Sequence, residues 1–335
     1  MDLFTMTALG IVTAGFVVGI VVGLTGMGGG ALMTPALIFL GVGDASTVVT
    51  ADLTSAAVSK SGGAIVHARE GAPHMPIAIW LMVGSIPMAL IGPHVLSWIV
   101  DPAELEDILK LCIGFALLFA AATYALRLYI NLRKVRRGTA DTNDNPAVRV
   151  VPTLLVGMLG GLLVGITSVG SGSVIMISLV MLYPGLGALK LVGTDLVQAV
   201  PLVLAAAISN IALHGLDWEI LIPLVIGSVP GTIFGSKIAP RVPQSLIRRG
   251  IVVVLTMSGF ALLDKAGWAP LGTEETHPML IAGIGVAMCF IVPLVWSVLR
   301  RTEGLPAFGA PTVAELDRKD FVPGRKSSDA GDGVH

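Results

Sequence analysis

The sequence is poor in charged and aromatic residues. Only 13% of its 335 residues are charged and 5% are aromatic, whereas roughly 25% are charged in ordinary soluble domains. The hydrophobic share is 54%, and a water-soluble core could not enclose that many apolar side chains. The shortage of charge therefore excludes a soluble enzyme, a nucleic-acid-binding protein and a disordered scaffold. It predicts an all-α polytopic membrane protein in a lipid bilayer.

Cysteine is scarce as well. Cys112 and Cys289 lie in apolar runs and match no metal-binding or redox spacing, so we expect small buried hydrophobic residues there. The histidines show no paired spacing typical of a metal site, and we predict neither a metal nor a cofactor. The N-terminus lacks the basic segment of a signal peptide, so the first apolar run is expected to be retained.

Long apolar stretches account for most of the chain. Most of them have the roughly 20 residues that a helix needs to cross a hydrocarbon core of about 30 Å. They lie near 4–25, 46–68, 75–99, 105–130, 151–168, 187–213, 219–239, 244–263 and 278–299. Two shorter runs, 29–42 and 171–183, each follow a glycine-rich break. At about 1.5 Å per residue they are too short for full spans, so we predict half-helices or re-entrant arms.

The positive charges predict the orientation of the chain. Fourteen Lys and Arg residues fall in the loops on one side of these spans, and only Lys110 and Lys265 fall on the other. Because cytoplasmic loops carry the excess of positive charge, we predict a cytoplasmic-membrane protein with its N-terminus outside and its C-terminus inside. The polar tail is expected to be disordered in the cytoplasm.

The chain repeats itself at an offset of 142–143 residues. Segment 22–30 reappears at 164–172, and the Gly-Ser-x-Pro element at 84–87 reappears at 227–230. By the charge pattern the copies start on opposite sides, which makes an inverted repeat with a substrate site near the midplane. We predict a first repeat, a basic cytoplasmic linker, a second repeat, an outer loop with an extra helix, and the tail. Their bounds are 1–130, 131–150, 151–265, 266–300 and 301–335.

The two glycine-rich breaks form the predicted substrate site. Glycines let the backbone unwind and approach a ligand, and the half-helix after each break begins with unpaired N–H groups that favour an anion. Neighbouring hydroxyl groups add donors. The predicted substrate-binding residues here are Thr25, Gly26, Gly28, Gly29, Gly30, Thr167, Ser168, Gly170, Ser171 and Gly172. The alternative is that the glycines only allow close helix crossing.

Three ionisable side chains lie inside predicted spans, where each costs at least about 2.5–3.5 kcal/mol. Lys60 and Asp195 fall at similar depth, so we predict that they pair, or that Lys60 faces the anion while Asp195 serves a proton or orients the site. Asp52 has no evident partner. Thr194 and Gln198 lie beside Asp195 and complete a predicted coupling or charge-pairing group. The alternative is that Asp52 caps a helix and Lys60 snorkels to the interface.

Several features occur together over residues 20–265. They are the paired glycine-rich segments 22–37 and 164–179, a VGTDL run at 192–196, a HAREG run at 67–71 and the two Gly-Ser-x-Pro elements. In this combination the chain resembles the sulfite exporter TauE/SafE family of membrane permeases. The resemblance implies an all-helical carrier of small anions, and it implies roles for the glycines of both breaks, for Lys60, and for Asp195 with Thr194. The first repeat departs from it by reading Thr-Ala-Asp at 50–52, so equal roles for the two aspartates are not implied.

The predicted function is that of a secondary transporter that exports a small anion, sulfite or an organosulfonate such as sulfoacetate, by alternating access. Uniport and proton coupling both stay open, as do another small anion as substrate and a homodimeric assembly. A membrane-embedded enzyme is disfavoured because the breaks contain no Glu, His or Arg cluster. A purely structural or receptor role would leave the broken helices and buried charges unexplained.

Overall fold

The computed structural model describes residues 3–25, 29–70, 73–137, 145–170, 172–186, 188–238, 244–268 and 277–302. Within its helices, the side chains at 3–5, 25, 62–70, 127–128, 131–137, 188–189 and 244–248 lie outside this description. Residues 138–144 of the predicted linker, most of the outer loop and nearly all of the tail also lie outside the described residues, so those predictions stay predictions.

The described residues form eleven α-helices and no strand. The helices are α1 (Leu3–Thr25), α2 (Gly30–Leu40), α3 (Ala45–Glu70), α4 (Met75–Ile99), α5 (Leu105–Arg137), α6 (Val150–Thr167), α7 (Val174–Leu182), α8 (Ala188–His214), α9 (Trp218–Ile238), α10 (Gln244–Lys265) and α11 (Pro278–Thr302). Seven of them are long and apolar enough to cross a membrane, namely α1, α4, α5, α6, α8, α9 and α11. The predicted all-α polytopic membrane fold is confirmed.

Glycines bring α1 and α9 into backbone contact. A Cβ atom on Gly15 would lie 3.1 Å from the carbonyl oxygen of Leu224, and one on Gly19 would lie 2.6 Å from that of Ser228. Because these contacts advance together along both helices, α1 and α9 run parallel. Lipid tails are as apolar as leucine, so close packing of small residues is a main source of helix association in a membrane.

The same kind of packing joins α4 and α6. Cβ atoms on Gly157, Gly161 and Gly165 would overlap the carbonyl oxygens of three successive turns of α4. These contacts also advance together, so α4 and α6 run parallel. The three glycines stand 142 residues after the glycines of α1 that face α9. The two copies of the repeated sequence therefore use matching positions to build two helix pairs.

Helix directions follow from side-chain hydrogen bonds. Thr194 of α8 bonds to the His74 N–H at the start of α4, and Ser209 bonds to the Leu90 carbonyl further along, so α8 is parallel to α4. Only residues 215–217 separate α8 from α9, which makes α9 antiparallel to α8. Since α6 follows the direction of α4, and α1 that of α9, α1 and α6 point in opposite directions. An inverted repeat requires this arrangement, and the internal symmetry itself stays a prediction.

Helix α7 returns to the end of α6 at which that helix begins. The Tyr183 hydroxyl, directly after α7, accepts a hydrogen bond from the Arg149 backbone N–H at 2.9 Å and lies 2.6 Å from the Thr153 hydroxyl. Both partners belong to the start of α6. Nine residues of helix rise only about 14 Å, which is too short for a span. Helices α6 and α7 therefore form a re-entrant hairpin.

Helix α2 makes the matching hairpin with α1. It has 11 residues and ends at Gly41, whose φ of 65° lies in the left-handed region that glycine adopts readily. Gly43 then lies against the Ile220 side chain at the start of α9, which is the end of the bundle where α1 begins. The two hairpins therefore enter the bundle from opposite sides.

The remaining helices complete the bundle. Helix α3 packs against α8, α5 against α10, and α11 mainly against α10. Both carboxylate oxygens of Glu106 on α5 accept the Ala45 N–H at 2.9 Å, which caps the start of α3. Cys289 on α11 is exposed and Cys112 is half-buried. The expectation that both cysteines are buried was wrong, because α11 lies at the edge of the bundle.

We expect Gly19→Ala to destabilise the protein and Gly10→Ala to leave it unchanged. Both changes lie on α1, but a Cβ at Gly19 would meet the Ser228 backbone, whereas one at Gly10 meets nothing within 4 Å. Overpacking of this kind costs about 1–3 kcal/mol. Thermal unfolding of the two purified variants in the same detergent measures the difference. Equal melting temperatures would contradict the close contact between α1 and α9.

Candidate functional site

Asp52 on α3 joins the two hairpins. Its Oδ2 atom accepts a hydrogen bond from the Thr34 hydroxyl of α2 at 2.6 Å and another from the Ser168 hydroxyl, directly after α6, at 2.7 Å. All three residues are buried, and Asp52 is only 2% exposed. Hydrogen bonds to a carboxylate are shorter and stronger than neutral ones. Asp52 thus connects three separate elements, and the cap at the start of α3 is supplied by Glu106 instead.

The two breaks also touch directly. Gly30 is the first residue of α2, and a Cβ there would overlap the Ser168 carbonyl oxygen and lie 2.6 Å from the Ser168 hydroxyl oxygen. Ser168 itself has a φ of 59°, a left-handed conformation that few residues other than glycine adopt. Residue 30 therefore has to be glycine for the first break to pack against the second.

Helix α7 begins beside this contact with a polar group that lacks a partner. Gly170, whose φ is 127°, and Gly172 lie in the turn before the helix, and Ser173 at the N-cap makes no capping hydrogen bond. The Ser173 hydroxyl is buried and has no hydrogen-bond partner among the described residues. A buried donor at the positive end of a helix is suited to an anion.

A second group of charged and polar side chains lies further along α3 and on α8. The carboxylates of Asp195 and Asp52 lie within electrostatic range of the Lys60 ammonium, which stands eight residues after Asp52 on α3. The Asp195 carboxylate accepts a hydrogen bond from Gln198 Nε2 at 3.1 Å, and the buried Gln198 Oε1 has no partner among the described residues. The structure thus joins Gln198 to Asp195 by a hydrogen bond and places Lys60 within electrostatic range of both aspartates. Their roles in pairing, anion contact or proton coupling stay predictions.

Two of the predicted hydroxyl groups hold the backbone in this conformation. Thr194 accepts the His74 N–H at 2.9 Å and so ties α8 to the start of α4. Thr167 donates to the Leu163 carbonyl at 2.6 Å and accepts the Val169 N–H at 3.2 Å. Both threonine hydroxyl groups therefore have hydrogen-bond partners within the fold.

Thr34 is a residue of this cluster that the sequence analysis missed. It is the only polar side chain in the segment 30–40, and that isolation was the one available signal. Gly29 lies where predicted, directly before α2. Four other predicted positions fall outside the described residues: Gly26, Gly28, Ser171 and the side chain of Thr25.

The fold and this centre together define a class of protein. Ionisable side chains inside a membrane bundle mark substrate or ion pathways, and discontinuous helices that meet near one another are the usual binding site of secondary transporters. The molecule is therefore built as a multi-pass membrane transporter.

Comparison with known proteins identifies the family. The chain matches the family model described as "Sulfite exporter TauE/SafE" over residues 11–262, and it belongs to this family, as the sequence analysis predicted. It is 34% identical to the probable membrane transporter protein YjnA of Bacillus subtilis (strain 168) over 259 residues, which cover 76% of this chain and 100% of that protein. It is 26% identical to the probable membrane transporter protein YdhB of the same organism over 250 residues, or 74% and 97% of the two chains. No solved structure matches it. The protein is a membrane transporter, not an enzyme.

We expect Gly30→Ala to disrupt the contact between the breaks and Gly29→Ala to spare it. The Cβ at Gly30 would displace Ser168, whereas the one at Gly29 would meet only the Val22 side chain at 3.6 Å. The loss for Gly30→Ala should be about 1–3 kcal/mol of stability, measured by thermal unfolding in detergent. If the neighbouring substitution lowered stability as much, the packing of Gly30 on Ser168 would not explain the effect.

Proposed function

We propose that this transporter exports a small anion, sulfite or an organosulfonate such as sulfoacetate, across the cytoplasmic membrane by alternating access. The observation that carries the proposal is the start of α7. There a buried Ser173 hydroxyl, which has no partner among the described residues, lies at the N-terminus of a half-helix, and the neighbouring Ser168 belongs to the Asp52 cluster. Donors at a helix N-terminus favour an anion over a cation or a neutral solute.

Lys60 supplies the positive charge in this proposal. Its ammonium interacts with both buried aspartates, so an arriving anion competes with Asp52 and Asp195 for the same cation. During a transport cycle, Lys60 then alternates between the carboxylates and the substrate anion. In the resting protein the carboxylates keep the lysine paired, which lowers the free energy of a charge inside the bundle.

The potential supports export as the direction. Moving a charge across 100 mV is worth about 2.3 kcal/mol, so a dianion such as sulfite gains roughly 4–5 kcal/mol on leaving a negative-inside cell. This gain is enough to drive uniport without a second ion. We propose the same orientation as the positive-inside pattern predicts, with the N-terminus outside and the C-terminus in the cytoplasm.

Closure of the site supports alternating access. Thr34 and Asp52 are at most 2% exposed. A cavity of about 700 Å³ lies beside the starts of α1 and α9, but its lining residues, such as Ile11 and Glu219, do not include Asp52. A substrate that reaches the cluster therefore needs a conformation in which the two hairpins have moved apart.

We expect Lys60→Met to abolish potential-driven sulfite efflux from proteoliposomes. The substitution removes the cation while keeping a side chain of similar length, and a lost charge-assisted interaction of about 1.5–3 kcal/mol weakens binding by about ten- to a hundredfold. The matched control is Lys237→Met, because Lys237 is exposed on α9. Sulfate, sulfoacetate and chloride serve as competitors.

The outcomes of this assay distinguish an error in the proposed substrate from an error in the proposed role of Lys60. Full efflux by the Lys60→Met protein would remove Lys60 from the anion path. If folded wild-type protein moved no sulfur oxyanion, sulfite and organosulfonates would be the wrong substrates. The proposed substrate would then be another small anion.

We expect Asp52→Asn to remove any response of the flux to a pH gradient at fixed potential. The amide oxygen still accepts the Thr34 and Ser168 hydroxyl groups, so the connection between the hairpins survives while the titrating proton is lost. Asp44→Asn is the control, because Asp44 is exposed before α3. Wild-type flux that ignores the pH gradient would rule out proton coupling and leave uniport.

A further inference from the structure

The start of α10 and the end of α11 carry a basic and aromatic cluster outside the transport site. Asp264, near the end of α10, accepts the His277 N–H before α11 at 2.7 Å, so the two helices run antiparallel. Arg249 therefore lies at the same end of the bundle as Arg300. The family match ends at residue 262, so α11 lies outside the matched region.

Arg249 stacks on an indole ring that has an unused donor. The guanidinium carbon of Arg249 lies 5.2 Å from the centroid of the Trp296 ring, within the range of a cation–π contact. Trp296 is 7% exposed, and its Nε1–H has no hydrogen-bond partner among the described residues. Buried donors are nearly always paired, so an acceptor is expected beside this ring.

Arg300 adds a second positive charge. It is 4% exposed, and its guanidinium interacts electrostatically with that of Arg249. Arg300 also interacts with another group. Its role in this cluster is to add positive charge. Two guanidinium groups within range of one another repel, and an anion between them would relieve the repulsion.

We propose that Arg249, Trp296 and Arg300 bind a phosphate group. An arginine fork matches two phosphate oxygens, and the indole N–H donates to a third. Arg300 lies in the last turn of α11, at the depth of lipid headgroups, on the side predicted to be cytoplasmic. Basic pockets between membrane helices on that side bind anionic headgroups. The phosphate belongs to an anionic phospholipid or is free inorganic phosphate, and the experiment distinguishes these sources.

The test is a titration of delipidated full-length protein with phosphatidylglycerol, followed by native mass spectrometry, with phosphatidylcholine as the neutral lipid. Arg249→Gln should weaken phosphatidylglycerol binding about tenfold, since a hydrogen bond to a charged group is lost. Trp296→Phe keeps the ring face but removes the N–H, and it should weaken binding about threefold. Arg301→Gln is the matched control, because Arg301 directly follows Arg300 on α11 and is exposed.

Equal losses in Arg249→Gln and Arg301→Gln would overturn the proposal, because diffuse surface charge would then explain the binding. Unchanged binding by Trp296→Phe would overturn it as well. If Arg249→Gln does not fold, Arg249→Lys is used instead, because it keeps the charge but loses the fork. Its affinity for phosphatidylglycerol should be lower than that of the wild type. Wild-type affinity would contradict the site. Inorganic phosphate that displaces the lipid at similar concentration assigns the site to the free anion, and failure to displace it assigns the site to the lipid.

Discussion

A lipid interior offers no hydrogen-bond partner to a peptide group, so a helix can break inside a membrane only where the break is buried in protein or lines a water-filled cavity. In this transporter each break lies against the other. The Gly30 backbone packs on Ser168, and one carboxylate oxygen of Asp52 accepts hydroxyl groups from both hairpins. A carboxylate is an unusual choice in an apolar bundle, because burying it is expensive unless its oxygens are well bonded. The Thr34 and Ser168 hydroxyl groups supply such bonds to Asp52.

The glycine contacts limit how such a molecule can move. Helix α1, from the first half of the chain, is locked by backbone contact to α9 from the second half, and α4 is locked in the same way to α6. The two halves are therefore interleaved, and they cannot rock against each other as separate rigid bodies without losing these contacts. Motion is easier for units that keep the pairs intact. The side-chain links between such units, including the 3.3 Å contact between Ser55 and Ser228 hydroxyl groups of α3 and α9, are weaker than backbone packing and are the natural places for opening.

The sequence predicted the architecture better than the contacts within the site. Repeated glycines at a constant offset and long apolar runs were sufficient for seven of the nine predicted spans, the breaks and the family, because lipid imposes those features on composition. Asp52 and Lys60 stood out because charge in a span is rare. The two hydrogen-bond partners of Asp52 could not be predicted from the sequence, since Thr34 lies on another helix and Ser168 is 116 positions away. Nor could spacing show that Thr194 would hold the start of α4, because that bond depends on how α8 crosses α4.

The charges of the centre bear on which species can be carried. Two aspartates and one lysine leave a formal charge of −1 in a bundle that is proposed to accept an anion. In the proposed mechanism, donors at the start of α7 and the Lys60 ammonium would attract the substrate, while Asp52 and Asp195 would repel it. A proton on one carboxylate would remove the excess negative charge when the substrate binds. If that proton crossed the membrane with a dianion, the net charge moved would be that of a monoanion. Under the same proposal, uniport would instead require that Lys60 leave its carboxylates for the substrate, so that each transport cycle would begin with a change of partner for a single lysine.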